Sequence, residues 1–146
     1  MGNKLLAIAS DHAGFEFKEK LKEYLLAKDY LIKDFGTYSS ESSDYPDYAH
    51  PLAEAVEKGE CEFGITLCGS GNGINMTANK HQGIRAALCW NSEISELARL
   101  HNNANVCSIP ARFVNFKLVK QIVDIFLNTQ FEGGRHLRRI EKIPVK

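Results

Sequence analysis

The segment Phe63-Gly64-Ile65-Thr66-Leu67-Cys68-Gly69-Ser70-Gly71-Asn72-Gly73 decides the fold. Its first six residues form an uncharged, largely apolar run, which is how a strand buried on both faces reads. The run enters a loop in which three of five residues are glycine, and a helix through Met76 and Ala78 is expected to follow. The same alternation returns on both sides. Toward the N-terminus, Leu5 to Ser10 reads as a strand ending at Asp11-His12-Ala13-Gly14, and Phe17, Leu21, Tyr24 and Leu25 then fall on one helical face. Tyr30 to Phe35 is a second strand closed by Gly36, residues 36–47 form a loop, and Ala49, Leu52, Ala53 and Val56 mark another helix. Toward the C-terminus, Ile84 to Trp90 is a fourth strand, and Ser92 is expected to cap a helix carrying Ile94, Leu97, Ala98 and His101. Asn105 to Pro110 is a fifth strand, and Phe116, Val119, Ile122, Val123 and Phe126 line the last long helix before a basic tail. Continuously apolar strands alternating with helices call for a three-layer α/β/α Rossmann-like fold. Its five-stranded parallel sheet is covered on both faces, because right-handed crossovers place helices on each side.

The chain of 146 residues is 44% apolar, close to the usual size of one domain of roughly 100–150 residues, so a single domain over 1–146 is expected. Eighteen basic and eighteen acidic side chains cancel, which removes the global positive field of nucleic-acid binders and anionic-membrane binders. Cys61, Cys68, Cys89 and Cys107 show no CxxC pair, so neither a zinc pattern nor a disulfide scaffold is present. With no signal-like or spanning apolar segment, the reading is a cytoplasmic protein.

In such folds ligands collect at the carboxyl ends of the strands. Ser10-Asp11-His12, the loop after Gly36, Cys68 to Gly73, Trp90-Asn91 and Pro110 to Arg112 are the segments expected there. The loop Cys68-Gly69-Ser70-Gly71-Asn72-Gly73 carries the strongest signal. Its glycines admit close backbone approach, and free N–H groups at a helix start favour an anion. Dinucleotide and Walker A patterns fail there, with Ile74 and Met76 where glycine is needed and Ser70 where lysine is needed. Cys68 is either a small buried hydrophobe or a thiolate favoured by the helix start. His101 lies on the apolar stripe of its helix, where a histidine is more often packing than catalysis. Asp11 can act as a helix cap with His12 exposed. Arg135 and Arg139 share one face if the tail is helical, a fork suited to a phosphate. Successive histidines are 38, 31, 20 and 35 residues apart, so no local metal pair exists and no metal is expected.

Several segments occur together and in order: Ser10-Asp11-His12-Ala13-Gly14-Phe15, Asp34-Phe35-Gly36-Thr37, Asp44-Tyr45-Pro46, Cys68 to Gly73, Ala78-Asn79-Lys80, Gly83-Ile84-Arg85-Ala86, Arg99-Leu100-His101-Asn102 and Glu132-Gly133-Gly134-Arg135-His136. Across nearly the whole chain this set resembles the type B ribose-5-phosphate isomerase family, which also contains galactose-6-phosphate and allose-6-phosphate isomerases. The resemblance implies interconversion of ribose 5-phosphate and ribulose 5-phosphate through a cis-enediolate, without metal or cofactor. It implies Cys68 as the base, since the family's other branch uses a glutamate where Ile74 stands. It further implies that Ser70 orients substrate hydroxyls and that His101 opens the furanose ring with help from Asp11. Tyr45 and Asn102 would touch the sugar, and the backbone N–H groups of Gly69, Ser70, Gly71, Asn72 and Gly73 are suited to receive the oxyanion. His12, Arg112, Arg135, His136 and Arg139 would hold the phosphate. Sites shared between two subunits, in a homodimer or a tetramer built from two dimers, are implied as well. A non-catalytic sugar-phosphate-binding module, an incomplete regulatory subunit and a hexose-6-phosphate isomerase are the alternatives.

Overall fold

The computed structural model describes residues 4–145, so the ends of the expected domain 1–146 lie outside the described residues. It is a five-stranded, wholly parallel sheet of order β2-β1-β3-β5-β4, formed by β1 (Leu5–Ser10), β2 (Leu31–Asp34), β3 (Phe63–Cys68), β4 (Ala86–Leu88) and β5 (Val106–Pro110). Between them run α1 (Phe15–Leu26), α2 (Pro46–Glu57), α3 (Asn72–Ala78) and α4 (Ser92–Asn102), followed by α5 (Phe116–Asn128) and α6 (Arg135–Ile140). The expected α/β/α layering holds. Among the described residues, no helix is long and apolar enough to cross a membrane.

Side chains alternate across a strand, and here the two faces differ in size. Leu6, Ile8, Phe63, Ile65, Leu67, Cys107 and Ile109 pack against α1, α4 and α5, where Leu21, Leu25, Ala98, Ile122, Val123 and Phe126 meet them. Ala7, Ala9 and Val106 face α2 and α3 through Leu52, Ala53, Val56 and Ala78. Cys68 shares this second face, packed with Ala49 and Ile74. The three central strands are therefore buried throughout, apart from half-buried Leu5 at the start of β1. The edge strands are not: β2 alternates exposed and half-buried residues, and β4 is half-buried throughout. Continuous burial applies only where a strand has a neighbour on each side.

Strand β2 is one residue shorter at each end than the expected Tyr30–Phe35, and three further boundaries differ from expectation. Strand β4 spans only Ala86–Leu88, and the side-chain amide of Asn79 engages both the N–H and the carbonyl of Ala86 (2.8 and 2.9 Å). The fifth strand starts at Val106, one residue later than expected, with the side chain of Asn105 accepting the N–H of Arg85 at 2.8 Å. The cap of α4 is Asn91 rather than Ser92: Asn91 Oδ1 accepts the N–H of Ile94 at 2.9 Å, one residue earlier than the serine would.

A buried charge cluster fixes the first turn of the sheet's carboxyl end. Lys18 is fully buried and donates to Asp34 Oδ2 (2.6 Å) and Glu19 Oε2 (2.8 Å), while Lys22 also reaches Asp34 (2.7 Å). Asp34 Oδ1 accepts the Gly36 N–H at 2.9 Å, and Gly36 and Thr37 pair with the backbone of Ser10 at 2.6 and 2.7 Å. Burial alone would raise the Asp34 carboxyl, but hydrogen bonds from Lys18, Lys22 and the Gly36 N–H outweigh it and hold the group below its ordinary value. Asp34→Asn strips a buried ammonium of its main partner, for an expected loss of about 3 kcal/mol in a urea unfolding titration. A lowered folded-state pKa stabilises above the unfolded value near 4 and is lost as pH falls through the folded value. The gap between wild type and D34N is therefore expected to close below about pH 4.

Candidate functional site

Four loops meet at the carboxyl edge, where the chain leaves β1, β2, β3 and β5. They enclose a cavity of about 430 Å³ lined by Asp11, His12, Tyr45, Cys68, Ser70 and Arg112, with Gly69, Gly73 and Phe113. The crevice opens beside β1 and β3, which part company because the chain after β1 goes to β2 and the chain after β3 goes the other way.

Asp11 is buried, and its Oδ1 accepts the N–H groups of Ala13 (2.9 Å) and Gly14 (3.2 Å) ahead of α1. His12 Nδ1 accepts the Ser43 N–H at 3.1 Å, so in the neutral ring the proton sits on Nε2 as a donor. That bond gives the 36–47 loop its part in the site.

Cys68 is 4% exposed, and its Sγ accepts the Gly71 N–H at 3.2 Å. Gly71 achieves this with φ +77°, a left-handed conformation that turns the chain into α3. Asn72 donates its N–H to Ser70 Oγ (3.2 Å). Two of the expected oxyanion donors, Gly71 and Asn72, are thus already engaged. Among the described residues, the N–H groups of Gly69, Ser70 and Gly73 find no protein acceptor. Gly73 is required by Tyr45: a Cβ there would lie 2.4 Å from the tyrosine Cζ. The Arg112 side chain lies across Gly69, and its own N–H is tied to the Gly69 carbonyl at 3.0 Å. A sulfur, a carboxylate, an imidazole donor, free amides and a guanidinium thus share one pocket. That set can move a proton beside an oxyanion while holding an anionic tail.

The remaining expected residues are elsewhere. Helix α4 begins past the carboxyl end of β4 and runs back about 16 Å to the amino edge of the sheet. Its last residues are pinned there, with Arg85 Nε, just before β4, donating to the carbonyls of Asn102 (3.0 Å) and Asn103 (3.1 Å). His101 and Asn102 therefore stand at the end of the sheet opposite Cys68. His101 is half-buried rather than on the packed face, which is formed by Ser95, Ala98 and Arg99. Its ring stacks on that of His136 in α6, with centroids 4.2 Å apart and planes 13° apart. The basic tail is helical as far as Ile140, with Arg135 and Arg139 exposed on it. One chain thus holds two separate groups: Asp11, His12, Tyr45, Cys68, Ser70 and Arg112 at the carboxyl edge, and His101, Asn102, Arg135, His136 and Arg139 on α4 and α6. Phe113, 76% exposed at the cavity rim, is absent from the sequence reading, because nothing in composition separates it from a core aromatic. Histidines far apart in sequence do pair in space, since His50 Nδ1 also lies 2.8 Å from His81 Nε2.

A family model described as Ribose/Galactose Isomerase matches residues 6–143. Ribose-5-phosphate isomerase B of Escherichia coli is 44% identical over 140 residues, covering 96% of this chain and 94% of that one. A ribose 5-phosphate isomerase from Thermotoga maritima superposes with a TM-score of 0.95 at 53% identity, over 97% of each chain. Ribose-5-phosphate isomerase B from Mycoplasma genitalium, solved with bound ribulose-5-phosphate, gives 0.92 at 43% identity, over 98% of this chain and 95% of that one.

Proposed function

The chain belongs to the ribose/galactose isomerase family and is an isomerase, and from that premise we propose that it interconverts D-ribose 5-phosphate and D-ribulose 5-phosphate with Cys68 as the base. The observation that carries the reading is the Cys68 sulfur in the carboxyl-edge cavity, beside amides that donate to nothing else. The thiolate takes the proton from C2 of the open-chain aldose and the C1 carbonyl oxygen gains the charge; the proton of the C2 hydroxyl passes to O1, and the C2 oxygen becomes the carbonyl as the same sulfur returns its proton to C1. The developing oxyanion is met by the free N–H groups of Gly69, Ser70 and Gly73, which are fixed before the charge forms. The Ser70 hydroxyl and Tyr45 orient the sugar, and Asp11 with a histidine handles protons on the ring oxygen.

That histidine is His101 of a second subunit. Cys68 and His101 lie at opposite edges of the same sheet, so one chain cannot bring them together, whereas a two-fold partner can offer its own amino edge to this chain's cavity. His12 and Arg112 of one subunit, with Arg135, Arg139 and His136 of the other, then surround the phosphate, and Asn102 joins His101 at the sugar. The working unit is a homodimer, alone or paired into a tetramer, and each chain is one sugar-phosphate isomerase domain over residues 1–146. Four free cysteines, Cys61, Cys68, Cys89 and Cys107, suit a reducing cytoplasm.

Purified protein incubated with ribose 5-phosphate and EDTA is expected to form ribulose 5-phosphate at the same rate as without chelator. No turnover, or turnover that EDTA stops, would overturn the reading. Rates on allose 6-phosphate and galactose 6-phosphate, measured alongside, are expected to be lower.

A further inference from the structure

The group at the amino edge contains more than a ring-opening histidine. His136 is buried, with only 9% of its side chain exposed, and its Nε2 is buried without a hydrogen-bond partner. Glu132 Oε1 lies 3.3 Å from that nitrogen, yet no hydrogen bond joins them. His101 completes the set, and one ligand-capable atom from each of the three lies within 4.8 Å of the others. Glu132 is anchored beside His101 through its N–H, which donates to the Leu100 carbonyl at 3.0 Å. Metal–ligand bonds of about 2.0–2.1 Å in a tetrahedron put neighbouring ligand atoms about 3.3 Å apart. The Glu132–His136 separation already has that value, and a rotation of half-buried His101 supplies the third vertex.

We propose that His101, Glu132 and His136 form a binding site for a divalent ion of the zinc class, and that its occupancy inhibits the isomerase. Two imidazoles and one carboxylate, with a fourth position left to water, are a donor set that zinc accepts. The inhibition rests on the reading above, in which His101 opens the sugar ring. A lone pair given to a metal cannot accept or deliver a proton, so a loaded site leaves the ring closed. The ion is a regulator bound to chemistry the protein already owns, not a cofactor of the reaction.

The test is calorimetric titration of the full-length protein with zinc sulfate, run beside the isomerase assay. One zinc per chain is expected for the wild type. Glu132→Gln is expected to weaken binding by at least the roughly tenfold that even an outer-shell loss costs, and to keep its metal-free activity within about twofold. Cys68→Ser separates this site from the thiol of the carboxyl-edge cavity and is expected to bind zinc as the wild type does. No binding to the wild type, or binding that E132Q leaves unweakened whether or not C68S abolishes it, would overturn the site. Zinc that binds in a Glu132-dependent way and lowers turnover in proportion to occupancy supports both site and inhibition. Glu132-dependent binding with unchanged turnover supports the site and overturns the role given to His101.

Discussion

Cys68→Ala is expected to lower kcat on ribose 5-phosphate by about 10²–10⁴, the usual contribution of a positioned base, with little change in KM. The small change in KM follows from geometry. In the proposed mechanism binding belongs to the phosphate-holding side chains, the free amides of Gly69, Ser70 and Gly73, and Tyr45; none of these is hydrogen-bonded to the sulfur, whose one amide partner is the N–H of Gly71. Loss of that bond, with the small void beside Ala49 and Ile74, should cost about 1–2 kcal/mol. A typical domain has 5–15 kcal/mol in hand, so the variant stays folded and its inactivity is chemical. Cys68→Ser sharpens the contrast. A hydroxyl restores an acceptor for Gly71 but is a far weaker acid than a thiol, so stability returns while activity does not. Steady-state kinetics and thermal unfolding of both variants check this, and a Cys68→Ala enzyme retaining a tenth of wild-type kcat would remove the cysteine from the mechanism.

Mixing two inactive variants is expected to restore activity. In the proposed homodimer each site draws one residue from each chain, so Cys68→Ala and His101→Asn each disable both sites of their own dimer. In a mixed dimer the intact Cys68 of one subunit meets the intact His101 of the other, and the second site collects both defects. If subunits redistribute at random, half the dimers are mixed and each has one working site of two, which gives about a quarter of the wild-type rate. Denaturing the variants together, refolding and assaying them measures this. A refolded mixture no more active than its components, under conditions where the wild type recovers, would mean that each site lies within one chain.

Much of the architecture was legible because periodicity reports burial, and burial is strongest where strands are central. Leu5–Ser10 and Phe63–Cys68 came out with the boundaries expected, whereas Ile84–Trp90 shrank to three residues at the sheet edge. The backbone there is bonded by the side chains of Asn79 and Asn105, and such hydrogen bonds leave no trace in hydropathy. Within the site, Asp11, His12, Cys68, Ser70 and Arg112 follow from the rule that ligands gather where parallel strands end. Their convergence in one cavity matches that rule. His101, Asn102 and the α6 residues were reachable only through resemblance. The direction of α4 could have shown that His101 belongs to the other end of the sheet, since a helix after a parallel strand must run backwards. The Glu132–His136 pairing was hidden by the basic residues around it, and the stacking of His101 on His136 by the long stretch of sequence between them.

The inequality of the two sheet faces acts as a gauge for the mouth of the pocket. Tyr45 stands at the start of α2 and Gly73 in the first turn of α3, and both helices rest on the face built from Ala7, Ala9, Gly64 and Thr66. The thickness of that layer of short side chains sets how near the two helix starts can come to the end of β3. One extra methylene anywhere in the layer lifts a helix as a lever lifts its far end, and the aperture above the sulfur widens at a distance. Dimensions of the substrate are thus written partly in alanines and a glycine that no substrate touches.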